Sequence, residues 1–172
     1  MKIRTASISD LSAVTEVEAE CFPPAEAAGR ASMEQRLKTY PDHFWVLEDE
    51  GKIVGFVNGM VTDEMHLSDD MYDDASLHDE NGAWQMIFGV DTVPAYRKRG
   101  CASKLLTYVI GEAKKQNRRG LVLTCKDALV QFYAKFGFVD EGMSESVHGG
   151  VPWHEMRLTF ILKGMELGPG GL

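Results

Sequence analysis

The sequence lacks several features that would place a chain in a specialised class of protein. Its three cysteines are widely spaced and form no Cys-x-x-Cys pair, so neither a zinc site nor a disulfide framework is expected. No apolar run approaches the roughly 20 residues of a membrane-spanning helix, and the N-terminal MKIRTASISDL has no apolar signal core. These absences predict a cytoplasmic protein with no membrane partner and no bound metal.

Two glycine-rich nucleotide-binding patterns are also missing. Neither Gly-x-Gly-x-x-Gly after a strand nor Gly-x-x-x-x-Gly-Lys-Ser/Thr occurs, so the folds that carry these loops are not expected. A formal net charge of −8 disfavours a general nucleic-acid binder. The chain has 172 residues, 44% hydrophobic and 26% charged, which is typical of one globular domain with a full core.

Charge of each sign is concentrated in a different part of the chain. Residues 53–96 contain no lysine or arginine but nine acidic residues: Asp63, Glu64, Asp69, Asp70, Asp73, Asp74, Asp79, Glu80 and Asp91. Residues 97–126 contain one acidic residue, Glu112, and nine basic ones: Arg97, Lys98, Arg99, Lys104, Lys114, Lys115, Arg118, Arg119 and Lys126. Most of these are expected on solvated surfaces, but those beside a cleft would suit a cation and an anion respectively.

Hydrophobic periodicity predicts an α/β domain with a mixed sheet. Leu11, Val14, Val17 and Cys21 have helical spacing, and residues 102–116 form a second amphipathic pattern. FWVLE and KIVGFVNGMV predict a hairpin, and WQMIFGVDTV predicts one strand. The predicted order is β-α-α-β-β-β-α-β-α-β-β, about seven strands with about four helices. Residues 1–160 form the domain and residues 161–172 a frayed tail.

The basic turn, which we define as Arg97, Lys98, Arg99 and Gly100, lies directly before a predicted helix. Backbone N–H groups at a helix N-terminus carry partial positive charge and bind anions. The basic side chains add charge, and a glycine lets the backbone approach a ligand without an intervening Cβ atom. The turn therefore predicts a pyrophosphate site, with a solvated surface turn as the alternative.

Two segments resemble signatures of the GNAT superfamily of N-acetyltransferases. VPAYRKRGCASKLL is similar to its acetyl-CoA-binding segment, and LTCKDALVQFYAKFGFV resembles its aromatic-rich helix followed by Gly-Phe. Within the superfamily, SLHDENGAWQMIFGV and CKDALVQFYAKFGF are similar to the serotonin (arylalkylamine) N-acetyltransferase group. The resemblance implies a GNAT-type domain that transfers an acetyl group from acetyl-CoA to a primary amine by direct attack in a ternary complex.

The resemblance also implies which residues bind acetyl-CoA. Strand backbone groups would meet the pantetheine amides at Val90, Asp91 and Thr92. The pyrophosphate would lie against Arg97, Lys98, Arg99, Gly100, Cys101, Ala102 and Ser103. Tyr133 matches the tyrosine that protonates the departing thiolate, and packing among the neighbouring phenylalanines is the alternative.

The proton acceptor departs from the family pattern. A primary ammonium, with a pKa of about 10, must lose a proton before it attacks. The histidine pair of the vertebrate enzymes falls at Met86 and Phe88, which cannot carry a proton. Insect members carry a glutamate in the matching loop, so Glu26 is expected to be the base, with solvent exposure as the alternative. Water could also take the proton, and the other candidates are Asp63, Glu64, Asp91, His78, His148 and His154.

The acceptor pocket is expected to have stiff apolar walls, which suit an aromatic amine. Its predicted lining is Phe22, Pro23, Pro24, Met86 and Phe88, whereas Trp45 and Phe56 are expected in the core. The acidic segment would also suit a polyamine, an aminoglycoside or a protein N-terminus. A non-catalytic acyl-CoA-binding module is a further alternative, and either a monomer or a homodimer is compatible with the sequence.

Overall fold

The computed structural model describes residues 1–161. The predicted tail therefore lies outside the described residues, apart from Ile161. Five helices are present in the described part: α1 Leu11–Cys21, α2 Arg30–Thr39, α3 Asp70–Asp73, α4 Cys101–Lys115 and α5 Val130–Ala134. The strands are β1 Lys2–Thr5, β2 Phe44–Asp49, β3 Lys52–Asn58, β4 Val61–Thr62, β5 Trp84–Ile87, β6 Gly89–Thr92, β7 Gly120–Cys125, β8 Val139–Met143 and β9 His154–Thr159.

The fold class is confirmed as a mixed α/β domain, with more elements than the sequence predicted. One sheet has the order β1-β2-β3-β6, and the other has the order β4-β5-β7-β9-β8. The β5–β7 pair is parallel, whereas the other strand pairs in both sheets are antiparallel. The extra elements are mainly short, namely the two-residue β4 and the four-residue α3.

The predicted strand WQMIFGVDTV is divided at Phe88 between the two sheets. β5 pairs with β7 in a register that runs from Trp84 with Gly120 to Ile87 with Leu123. Beyond Phe88, β6 pairs with β3 instead. The two sheets therefore part after residue 87, and the edge of β6 that faces away from β3 borders a cleft.

Helices cover both faces of the first sheet. The apolar stripe of α4, formed by Leu105, Leu106 and Val109, is fully buried in one hydrophobic cluster with residues of both sheets. Helices α1 and α2 pack against the opposite face around Val14, Met33 and Phe56. Each such buried side chain contributes about 1.5–3 kcal/mol. These clusters hold α1, β6 and α4 in fixed positions around the cleft.

Among the helices of the described residues, none is long and apolar enough to cross a membrane.

Candidate active site

A surface cleft, which we call the outer cleft, lies between the end of β6, the N-terminus of α4 and the start of α5. Its lining includes both strand and helix residues: Cys21, Phe22, Val90, Thr92, Tyr96, Arg97, Lys98, Gly100, Cys101, Ala102, Ser103, Leu129, Phe132 and Tyr133. Most of the residues predicted to bind acetyl-CoA are therefore brought together in one place.

The basic turn leads directly into the N-terminus of α4. Gly100 is the N-cap residue and has φ +78°, a left-handed conformation in which glycine is strongly favoured. An added Cβ atom there would meet nothing within 4 Å, so the backbone angle rather than crowding calls for glycine. The amides of the first turn of α4, from Cys101 onward, lack helical partners and remain able to bind an anion.

Contacts to the β2–β3 hairpin hold the basic turn in position. The hydroxyl of Tyr96 donates to Asp49 Oδ2 at 2.7 Å, and the Arg99 guanidinium lies 4.7 Å from the Tyr96 ring centroid. Arg99 contacts the Tyr96 ring and is not among the residues that line the outer cleft, so its contact with a pyrophosphate stays a prediction. Arg97 and Lys98 line the cleft and are exposed to solvent.

The free edge of β6 presents backbone groups to the cleft. The N–H of Val93 donates to the Val54 carbonyl on the β3 side. Because successive residues of a strand face opposite edges, the groups of Thr92 and Val90 face away from β3. The Thr92 carbonyl indeed accepts from Cys21 Sγ and Arg97 Nε, both at 3.3 Å. The backbone groups of Asp91 face β3 instead. Its side chain is fully buried and does not line the outer cleft.

A second cavity, the inner pocket, adjoins the outer cleft. It shares four lining residues with the outer cleft, namely Phe22, Val90, Leu129 and Tyr133. Its other walls carry aromatic groups and acids, among them Glu18, Glu26, Tyr72, Asp73, Phe88, His148 and Trp153. The two cavities therefore meet at Tyr133.

Tyr133 lies on α5 at this junction and is 7% exposed. Its ring packs edge-on against Phe132 and Phe138, with centroid distances of 5.1 and 6.0 Å. Burial, followed by the neighbouring Cys125 and Asp91, raises the pKa of the Tyr133 phenol. The hydroxyl therefore stays protonated at neutral pH and is available as a donor.

Glu26 lies in the inner pocket with its side chain 4% exposed. Lys126 Nζ contacts both of its carboxylate oxygens, at 2.7 and 3.1 Å. The backbone carbonyl of Glu26 lies 2.7 Å from His148 Nε2. Since a carbonyl oxygen can only accept, His148 Nε2 is the donor. His148 also stacks on Tyr72, with ring centroids 5.0 Å apart and an angle of 12°.

Four of the other predicted bases lie outside the inner pocket. Asp63 accepts from the Ala83 amide on the surface, and Glu64 is exposed. His78 accepts from the Val61 amide and contacts Glu80 at 2.8 Å. His154 lies on β9 between Asp127 and Asp140, at 3.2 and 3.1 Å. None of these four residues lines the inner pocket.

Three predicted pocket residues do not line the inner pocket. Pro23 and Pro24 are exposed, and the Pro23 carbonyl accepts from the amides of Glu26 and Ala27, so this turn directs Glu26 inward instead. Met86 is fully buried in a cluster with Tyr40 and Met60 on the other face of β5. Phe22 and Phe88 do line the inner pocket.

The sequence prediction missed Glu18, whose position in α1 could have indicated a special role. Leu11, Val14 and Glu18 share the inward face of α1, where an acid is unusual. The prediction also missed Arg36, which lies on the buried face of α2 with Met33 and Leu37 and is 3% exposed. An arginine is unusual at such a position. Glu18 and Arg36 both line the inner pocket.

The split sheet, with its cleft leading from a basic helix N-terminus to a buried tyrosine, defines an acyltransferase domain of the GNAT type. The acetyltransferase (GNAT) family matches residues 11–138 of this chain. The chain belongs to this family, and the resemblance stated from the two signatures is confirmed.

Two curated relatives illustrate the range of similarity. The serotonin N-acetyltransferase of Mesocricetus auratus is 30% identical over 112 residues, covering 64% of this chain and 53% of that protein. The probable hydrolase YhcX of Bacillus subtilis is 22% identical over 130 residues, covering 72% of this chain and 25% of that protein. The chain thus aligns with about half of one relative and a quarter of the other.

Solved structures share the fold over nearly the whole chain. The GphF GNAT-like decarboxylase, in complex with isobutyryl-CoA, has a TM-score of 0.76 at 25% identity, with 92% of this chain and 99% of that chain covered. The ribosomal-protein-S18-alanine N-acetyltransferase of Escherichia coli has a TM-score of 0.71 at 18% identity, with 96% and 97% covered. YncA of Salmonella typhimurium, a putative acetyltransferase with its cofactor acetyl-CoA, has a TM-score of 0.69 at 17% identity, with 98% and 99% covered.

Proposed function

We propose that this protein is an acetyl-CoA-dependent N-acetyltransferase whose acceptor is the primary amine of a small molecule, an arylalkylamine being the class that best fits the pocket. The observation that carries the proposal is the meeting of the outer cleft and the inner pocket at Tyr133. A thioester in the outer cleft and an amine in the inner pocket would have their reactive atoms beside one hydroxyl group.

The residues of the outer cleft fit acetyl-CoA. Arg97, Lys98 and the amides that follow Gly100 offer charge and N–H donors to a pyrophosphate. The free edge of β6, at Val90 and Thr92, offers hydrogen-bonding groups to an extended chain that carries amides. The side chain of Tyr133 would donate a proton to the departing sulfur.

The lining of the inner pocket supports an aromatic cation as acceptor. Tyr72, Phe88 and Trp153 supply aromatic side chains to the lining, and aromatic pairs add about 0.5–1.5 kcal/mol beyond their buried area. The carboxylates of Glu18 and Asp73 would attract an ammonium group. The prediction that Glu26 accepts the proton remains a prediction, since its carboxylate lies in the same pocket but already holds Lys126.

A panel of acceptors tests the proposal, with thiol release from acetyl-CoA as the readout. We expect turnover with phenethylamine or tryptamine. Turnover only with spermidine, an aminoglycoside or a peptide N-terminus would replace the arylalkylamine by one of those classes. Tight binding of acetyl-CoA without turnover on any amine would instead indicate a non-catalytic binding module.

A further inference from the structure

Two carboxyl groups meet beside β6, and we call Glu18 and Asp91 the carboxyl pair. Glu18 comes from α1 and is 6% exposed, whereas Asp91 comes from β6 and is fully buried. A Cβ atom added to Gly89 would lie 2.8 Å from Asp91 Oδ1 and 3.7 Å from Glu18 Oε1. The two carboxyl groups therefore border the same small volume, one residue beyond Phe88.

Hydrogen bonding leaves most of this pair unpartnered. Glu18 Oε2 accepts from the Ala28 amide at 2.8 Å. Glu18 Oε1 and both oxygens of Asp91 are buried and have no partner among residues 1–161. Two adjacent buried carboxylates cannot both stay charged. Burial, reinforced by the neighbouring Glu18, raises the pKa of Asp91 well above its usual range, so Asp91 favours its protonated form.

The groups around the pair do not supply a competing proton. Arg36 donates to Asn58 Oδ1 at 3.1 Å and to the Tyr72 carbonyl at 2.9 Å. Burial raises the pKa of the Cys21 thiol and raises that of the Tyr72 phenol to about 12, so both stay neutral. None of these three neighbours donates to the unpartnered oxygens of the pair within residues 1–161.

Glu26 is less suited to this task, although it is also buried in the inner pocket. Both of its oxygens contact Lys126. A substrate ammonium would therefore have to displace Lys126 to reach them. Glu18 has one oxygen without a partner and belongs to the same pocket lining.

We propose that Glu18, in the carboxyl pair with Asp91, accepts the proton of the acceptor ammonium. This inference rests on the proposed function, and it supplies the base that Met86 and Phe88 cannot provide. The ammonium nitrogen gives one proton to the Glu18 carboxylate, which becomes a carboxylic acid. The freed nitrogen lone pair forms the bond to the acetyl carbon, and the carbon–sulfur bond breaks with its electrons on sulfur. Tyr133 protonates the sulfur and regains a proton from the product nitrogen, and Glu18 releases its proton to solvent.

The test compares two acceptors of equal size that differ in basicity. Phenethylamine is an ammonium ion at neutral pH, whereas O-benzylhydroxylamine has the same number of heavy atoms and is already neutral. In Glu18→Gln, we expect kcat/KM for phenethylamine to fall by about 100-fold. The fall of kcat/KM at low pH that wild type shows should disappear from the pH profile of the variant. The value for O-benzylhydroxylamine should change by no more than about threefold. The matched variant Glu26→Gln should not show this difference between acceptors.

Other outcomes overturn the assignment. An equal loss on both acceptors in Glu18→Gln would show a structural role, and a loss confined to phenethylamine in Glu26→Gln would make Glu26 the base. If both variants keep wild-type rates, solvent takes the proton. If wild type acetylates neither acceptor, the proposed function fails and the inference falls with it, an outcome visible before any variant is made.

A second variant keeps the test decisive if Glu18→Gln does not fold. In Gly89→Ala the new Cβ atom would lie 2.8 Å from Asp91 Oδ1, so the Asp91 carboxyl must shift away from its position beside Glu18. We expect a selective loss with phenethylamine. Because a purely steric effect on the pocket would slow both acceptors equally, an equal loss would contradict the proposal.

Discussion

The left-handed backbone of Gly100 offers a sharp test of the anion site, through the substitution Gly100→Val. Gly100 has φ +78° and open space around its Cα atom. A side chain there meets no clash, so its cost comes from the backbone angle alone. The left-handed conformation costs an L-residue about 1–2 kcal/mol, and a β-branched residue more. The turn is therefore expected to relax to a negative φ.

That relaxation would redirect the amides that follow Gly100 at the start of α4. Losing one charge-assisted hydrogen bond costs about 1.5–3 kcal/mol. Since about 1.4 kcal/mol corresponds to a factor of ten, we expect the Kd of acetyl-CoA to rise by about 10- to 100-fold. Isothermal titration calorimetry with acetyl-CoA measures this change directly.

Gly142 provides a matched control in β8. It has φ +97° and nothing within 4 Å of an added Cβ atom, so Gly142→Val carries a similar backbone cost at a position outside the outer cleft. Both variants should lose similar thermal stability, but only Gly100→Val should lose affinity. Equal acetyl-CoA affinities in the two folded variants would refute the reasoning.

Three further predictions concern other parts of the molecule. Tyr133→Phe should lower kcat by roughly tenfold with nearly unchanged acetyl-CoA affinity, because the hydroxyl acts mainly in the transition state; an unaffected kcat would assign Tyr133 to packing. Lys126→Met should lower the free energy of unfolding by about 1–2 kcal/mol, measured in urea, because it leaves Glu26 buried without its partner. Arg4 holds the pKa of Asp10 below its usual value. The ion pair therefore stabilises the fold above about pH 4 and is lost as the pH falls through the lowered pKa of Asp10. The difference in Tm between wild type and Asp10→Asn should therefore vanish in acid.

Local sequence patterns were sufficient for much of the fold. The β2–β3 hairpin follows from two strand-forming runs around a tight turn, and α4 follows from the apolar face formed by Leu105, Leu106 and Val109. The basic turn was recognisable because its charge, its glycine and the following helix are adjacent in sequence. Features that depend on neighbouring residues were thus predictable.

Features that depend on distant partners were not. The run over residues 84–92 reads as one strand, but its partner changes from β7 to β3 at Phe88, and nothing in the run itself specifies that change. Glu18 and Asp91 are 73 positions apart, so their meeting depends on how α1 packs on β6.

The central claim is that this chain moves an acetyl group from acetyl-CoA onto an amine. The most direct measurement supplies acetyl-CoA with a ¹³C-labelled acetyl group and phenethylamine, and follows the products by mass spectrometry. The account predicts labelled N-acetylphenethylamine in a one-to-one ratio with free CoA. Release of CoA with labelled acetate and no labelled amide would show hydrolysis instead and contradict the account.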